Sequence, residues 1–407
     1  MRRTPVLFSQ LSRMRKWNWY IKGKVEVRPT PAKELLERHG YEVVDVKDVL
    51  FPPTVRERVE IVGAYDKILP FDENHPDYKT EPCYKYLDQN VLLEGTQQAQ
   101  VLTNTIAVKE FPEHIDKFSK NLKLPDSIHS EVQKRIMLSC VFEATQQKLP
   151  KKKDPSRPAW VFPRDYGIPD TRKNELLTKN LVELCDNYIN DKSKSVVSDV
   201  KFCAPIKAHN KNLLFELTSE VVVTTSKRLQ SLSNSEITID LELPNLHPVD
   251  CTISLEPFNF YEMKNIYPFN TKSKYPFVQT AFLSYNHTIV KNIFEEEVTE
   301  DQKMSRCLMK GFTIAAAQAH ALYGEDVEEL PEPLVIPVVQ SDGQFFDFSL
   351  YQLNTLAIDK QSNIKNIFWN SPTIALYEKC QYESARPVLQ GYNSDIINKI
   401  ISFMSIE

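Results

Sequence analysis

Residues 334–353 read LVIPVVQSDGQFFDFSLYQL, two apolar, β-branched and aromatic runs separated by Ser341-Asp342-Gly343. Asp-Gly supplies the positive φ that a tight turn needs, so the stretch predicts a β-hairpin. Immediately upstream, residues 300–323 carry Ala315, Ala316, Ala317, Ala319 and Ala321 at spacings that suit a closely packed helix, and Gly324 is placed to end it. Further upstream, LLFELTSEVVVTTS (213–226), EITIDLEL (236–243) and VDCTISLE (249–256) are β-branched and alternating, the pattern of strands. Downstream, residues 394–404 place Ile396, Ile397, Ile400 and Phe403 on one helical stripe.

Before residue 200 the pattern is helical. Apolar stripes predict helices over 94–109 (Ala99, Leu102, Ile106) and from Pro125-Asp126-Ser127 to near Lys148 (Ile128, Val132, Ile136, Met137, Val141). A further stripe over 172–190 carries Leu176, Leu177, Leu181, Leu184, Cys185 and Tyr188, and Pro31 opens a short helix closed by Gly40. Helices and strands come in blocks, without strict βα alternation. That predicts an α+β fold, mixed helices and mostly antiparallel strands, with a mostly helical first half and a strand-rich second half.

Composition removes several chemistries. There are nine glycines in 407 residues, and the closest pair, Gly311 and Gly324, lies thirteen apart. A dinucleotide-binding GxGxxG, a P-loop, a kinase lid and a GxSxG elbow all need closer glycines. The nearest two of the eight histidines are fifteen residues apart, so no HExxH pair exists. The seven cysteines are at least eighteen apart, which reads as reduced core thiols. An apolar run of eighteen residues is also missing, so no membrane span is predicted, and no cofactor is expected.

Charge is unevenly placed. The net charge is -4, yet residues 1–25 hold Arg2, Arg3, Arg13, Arg15, Lys16, Lys22 and Lys24 without one acid. This is the signature of a mitochondrial presequence, the alternative being a basic tail that stays on the protein. A second basic run, Lys148, Lys151, Lys152, Lys153, Arg157 and Arg164, is broken only by Asp154 and punctuated by four prolines. Prolines forbid a helix, so the run is an extended strap, with Trp160, Phe162 and Tyr166 interleaved. Such a strap can follow phosphates and stack on unpaired bases; equally, it can be a solvated linker. The compensating acids gather later, at Glu295–Glu297, Glu300 and Asp301, and at Glu325, Asp326, Glu328, Glu329 and Glu332. These read as solvent faces or surfaces that repel RNA.

One spacing resembles catalytic machinery. Asp250 followed by Glu262-Met263-Lys264 has the Asp…Glu-x-Lys form of magnesium nucleases, in which two carboxylates hold the metal and the lysine positions water. The plain alternative is a strand-edge aspartate and an exposed Glu–Lys pair.

Other stretches carry a resemblance rather than a chemistry. They are His75-Pro76, Tyr78-Lys79, Cys83-Tyr84, Leu92-Leu93-Glu94-Gly95, Gln98-Ala99 and Leu102-Thr103. The second half adds Ala317-Gln318-Ala319, Leu322-Tyr323-Gly324, Asp342-Gly343, Phe346, Phe348, Gln352-Leu353-Asn354-Thr355, Asn366 and Trp369. Over roughly residues 70–380 the chain resembles the family that mitochondrial large-subunit ribosomal protein thirty-seven shares with programmed cell death protein nine. The resemblance implies a non-catalytic constituent of the mitochondrial large ribosomal subunit, in contact with its rRNA and other ribosomal proteins, with a paralogous member as neighbour. The domain plan expected is a presequence-like segment (1–28), a mostly helical region (29–148), the strap (149–170) and an α+β domain (171–407). The RNA-contact candidates are Lys151, Lys152, Lys153, Arg157, Arg164 and Trp160. The rivals are an RNA-processing nuclease using Asp250, Glu262 and Lys264, and a matrix adaptor with no ribosomal role.

Overall fold

The computed structural model describes residues 31–44, 71–141, 147–148, 156–157, 166–287, 289–294, 296–359, 364–383 and 386–406, with 14, 17–18, 20, 49–50 and 159. Contacts divide the chain into Met1–Pro70 and Phe71–Glu407. In the first unit, helix α1 (Pro31–Arg38) ends where Gly40 takes φ 82°. In the second, the helices are α2 (Gly95–Thr103), α3 (Glu113–Asn121), α4 (Asp126–Val141), α5 (Asp170–Ile189), α6 (Glu300–Tyr323) and α7 (Asp395–Met404). The strands are β1 (Cys83–Tyr86), β2 (Thr105–Val108), β3 (Gln147–Lys148), β4 (Tyr166–Gly167), β5 (Lys194–Ala208), β6 (Lys211–Thr225) and β7 (Glu256–Phe258). After them come β8 (Phe277–Ser284), β9 (Glu329–Ser341), β10 (Phe345–Thr355), β11 (Asn366–Asn370), β12 (Ile374–Ala375), β13 (Lys379–Glu383) and β14 (Arg386–Gln390).

Ten strands form one sheet in the order β2-β11-β10-β9-β8-β6-β1-β7, with β5 paired to β6 and β12 to β10. The pairs β1/β6, β8/β9 and β2/β11 are parallel and the rest antiparallel, so the α+β expectation holds. Strand alternation sends each face to its own core. Val222, Ala281, Val338, Tyr351, Leu353 and Phe368 face α6 and α2, while Val221, Val223, Phe282, Val339, Phe348 and Trp369 face α3, α4, α5 and α7. α6 is buried at every position from Met304 to His320. Its N-terminus is a capping box between Thr299 and Gln302, and Gly324 ends it at φ 98°. At Gly311 it lies so close to the sheet that an added Cβ would stand 2.8 Å from the Cβ of Tyr351.

The hairpin 334–353 forms as read. Ser341 pairs with Phe346, and the Asp342 carboxylate accepts the amides of Gln344 (2.8 Å) and Phe345 (2.7 Å) while Gly343 takes φ 96°. Two expected strands do not form. In 236–243, Asn234 accepts the amide of Glu236 (3.2 Å) and starts a 3-10 turn, Ser235–Thr238. In 249–256, Asp250 accepts both the amide and hydroxyl of Thr252 (2.9 Å each) and consecutive turns follow. Local side-chain bonds outcompeted β-propensity in both places. The 94–109 helix stops at Thr103, where Asn104 turns left-handed (φ 48°) and the β-branched remainder becomes β2. The helix expected to reach Lys148 is described over Asp126–Val141, and Gln147–Lys148 pair as β3 instead.

Candidate nucleic-acid interface

α4 and α5 flank the basic strap and pack on each other: Arg135 donates to the Asn180 carbonyl (2.9 Å) and pairs with Glu183 (3.3 Å). Between them, β3 and β4 form a two-residue antiparallel ladder, Gln147 opposite Gly167 and Lys148 opposite Tyr166. The ladder joins the two ends that flank residues 149–165 at one place on the fold. Of the six candidate RNA contacts, Arg157 is described and exposed; Lys151, Lys152, Lys153, Trp160 and Arg164 lie outside the described residues. The flanking charges are spent locally. Arg172 and Lys179 both pair with Glu175 (2.8 Å each), and the Lys179 hydrogen bond holds the Glu175 carboxyl below its usual range.

The nuclease spacing does not assemble into a metal centre. Asp250 sits in a turn, where it pairs with Lys211 (2.8 Å) as well as Thr252, and the Lys211 hydrogen bond pulls its carboxyl down to about 2. Glu262 and Lys264 lie on an extended segment whose alternate residues Tyr261, Met263 and Asn265 turn inward, leaving both charges exposed. Among the described residues no group of three His, Cys, Asp or Glu side chains is arranged to hold a metal ion. A cavity of about 760 Å³ is lined by Gln100, Lys109, Asn370 and Thr373 with the ion pair Glu300–Lys303 (2.8 Å). Cys83, Cys203 and Cys251 are buried, and burial pushes each thiol up to about 11, the behaviour of inert core residues.

Sequence reasoning missed the role of the buried polar side chains. Asn366 accepts the amides of Asn354 (2.7 Å) and Thr355 (3.0 Å) and donates to the carbonyls of Thr103 (2.9 Å) and Thr355 (3.0 Å), using every hydrogen-bonding site of its amide. Gln352 accepts the amides of Leu232 and Ser233 and donates to the Ser233 carbonyl (2.8 Å). Gln98 donates to the Cys251 carbonyl (2.7 Å) and accepts from the Glu94 amide (3.2 Å). On α6, Lys310 pairs with Asp88 (3.0 Å) and Arg306 donates to the Asn90 carbonyl (3.1 Å), fixing the loop after β1. Asn366, Gln352 and Gln98 were noted in the sequence as marks of resemblance; here they are cross-braces between distant backbones.

The comparisons agree with a scaffold. Residues 259–406 match the family described as mitochondrial 28S ribosomal protein S30 (PDCD9). Large ribosomal subunit protein mL37 of Rattus norvegicus is 25% identical over 397 residues, covering 92% of this chain and 86% of the rat protein. The chain is similar to mL37 along most of its length. The mL37 of Bos taurus is 26% identical over 380 residues (89% of this chain, 84% of the bovine protein). That of Gallus gallus is 25% identical over 316 residues (76% and 68%). The mL37 likeness therefore runs through both the helical and strand-rich halves, well beyond the stretch matched by the PDCD9 family.

Proposed function

We propose that this protein is a structural constituent of the mitochondrial large ribosomal subunit, located on the mitochondrial ribosome in the matrix, where it supports mitochondrial translation. The likeness to mL37 over 92% of the chain carries this reading. The fold supports it: its notable polar residues brace distant stretches of backbone, which suits a protein that acts by shape and contact. Among the described residues no helix is long and apolar enough to cross a membrane. rRNA and other ribosomal proteins are its partners, a paralogous family member among them. The strap is the RNA contact, with Lys151, Lys152, Lys153, Arg157 and Arg164 on phosphates and Trp160 against a base or a neighbouring protein. The acid-free start of the chain directs import.

The test is a sucrose gradient of mitochondrial extract, probed for this protein. Cosedimentation with the large subunit is the expected result; a peak in the small subunit follows the 28S label of the family description instead. A peak free of both subunits supports the adaptor reading. Nothing in the geometry favours a nuclease.

A further inference from the structure

The acids after α6 do more than face solvent. Gly324 ends α6, and Glu325, Asp326 and Glu328 follow on the way into β9; with Asp359, from the chain after β10, they line a cavity of about 520 Å³. Its described lining holds four carboxylates against one lysine, Lys207. Met263, Leu356 and Ile358 supply an apolar wall. Asp359 is held in place by His209, whose ring nitrogen lies 3.2 Å from one carboxylate oxygen and whose amide donates to the other.

His320, in the last turn of α6, also lines this cavity. It is 6% exposed, and its Nδ1 is buried without a hydrogen-bond partner. A buried ring nitrogen left unpaired is costly unless something meets it. Burial keeps the imidazole pKa below its ordinary value, so the ring stays neutral and adds no positive charge.

We propose that this pocket receives an arginine side chain from a basic peptide segment of another protein. The carboxylates match a guanidinium's fork of donors, and the apolar wall suits the methylene stem. The volume is within the range of pockets that take a side chain together with its flanking residues. The same carboxylates repel nucleic-acid phosphates, so the occupant is protein. The inference does not rest on the ribosomal reading, since the pocket stands whichever particle the protein joins.

The test uses the full-length protein and a fluorescein-labelled octapeptide alternating alanine and arginine, read by fluorescence anisotropy. Wild type should bind it, and a citrulline version of the peptide should bind at least tenfold more weakly. E325K/D326K should lose at least tenfold in affinity at unchanged melting temperature; E325Q/D326N serves if the lysines unfold the protein, with at least a fivefold loss expected. H320Q, which leaves the surface charge alone, should weaken binding at least threefold. Equal binding by the citrulline peptide, by the acid variants or by H320Q overturns the proposal, as does no binding at all. Displacement of the peptide by spermine at equal or lower concentration assigns the pocket to a small polycation, and direct binding of a fluorescein-labelled RNA oligomer that H320Q weakens assigns it to nucleic acid; either overturns it too.

Discussion

The seam around Asn366 and the strap between α4 and α5 deal with polar groups in opposite ways. At the seam, one buried amide meets four backbone partners drawn from β10 and from the last residue of α2. At the strap, a short ladder joins the flanking residues, and the one candidate contact that is described, Arg157, is exposed. Buried polar groups must be satisfied within the fold, whereas exposed charges are cheap to keep and are available to something outside it. The seam thus serves stability, and association is the role proposed for the strap. Substitutions in the two regions should separate along that line.

The sharpest break is Asn366→Ala. It leaves two amides and two carbonyls to find new partners, and should lower stability by about 4 kcal/mol in denaturant unfolding. Near-wild-type stability would show the seam to be replaceable. Gly311→Ala comes next: its methyl meets Tyr351 in a helix that cannot retreat, and overpacking should cost about 2 kcal/mol. Glu220 sharpens the comparison through pH. Burial raises its carboxyl from 4.5 to about 7, so its penalty is absent below pH 4.5 and grows as pH rises towards 7. Glu220→Gln should therefore raise the melting temperature at pH 8 by an amount equivalent to about 1–2 kcal/mol, and hardly at all at pH 4.5.

Smaller effects lie toward the surface. Asp250, depressed to about 2, stabilises above pH 4, and that contribution fades as pH falls from 4 to 2. Its carboxylate is 60% exposed, so Asp250→Asn should cost less than about 1 kcal/mol at pH 7, and mitochondrial translation should be unaffected. Loss of an RNA-cleavage step with assembly intact would restore the nuclease reading. Changing Lys151, Lys152 and Lys153 together to glutamate should leave the melting temperature alone while weakening retention on the large subunit as salt rises. Each lost phosphate contact should reduce the log–log salt slope by about 0.7–0.9. A triple variant retained like wild type through high salt would make the strap a linker.

Much of this division was readable in advance, for physical reasons. α5, α6, α7 and the β9–β10 hairpin are long and strongly periodic, so the pattern alone specified them. β1, β2 and β11 are four or five residues long and take their order from partners far along the chain, which no local window contains. The β5–β6 turn was equally hidden. His209 and Asn210 both adopt φ 53° there, without the glycine that usually announces such a turn. The strap was visible as charge because charge is additive along a sequence. The pocket beside His320 was not, because Lys207, Asp359 and the 325–328 acids converge only in three dimensions. The same holds for Asn366, whose type is plain in sequence and whose four bonds are not.

The parallel pairing of β2 with β11 also sets a timetable. Asn366 and Thr103, joined by a hydrogen bond, are 263 positions apart in the chain. The segment that becomes β2 must therefore wait for a partner brought back across most of the domain, a contact whose closure costs more entropy than any local pairing. Until then its backbone donors and acceptors are unpaired and the Thr105–Val108 strand cannot be held in place. The long β5–β6 hairpin can zip on its own meanwhile, since its arms are adjacent in sequence. Closure at β11 is thus a late event, and a chain truncated before Asn366 would keep its central hairpin but lose the edge that locks α2 to the sheet.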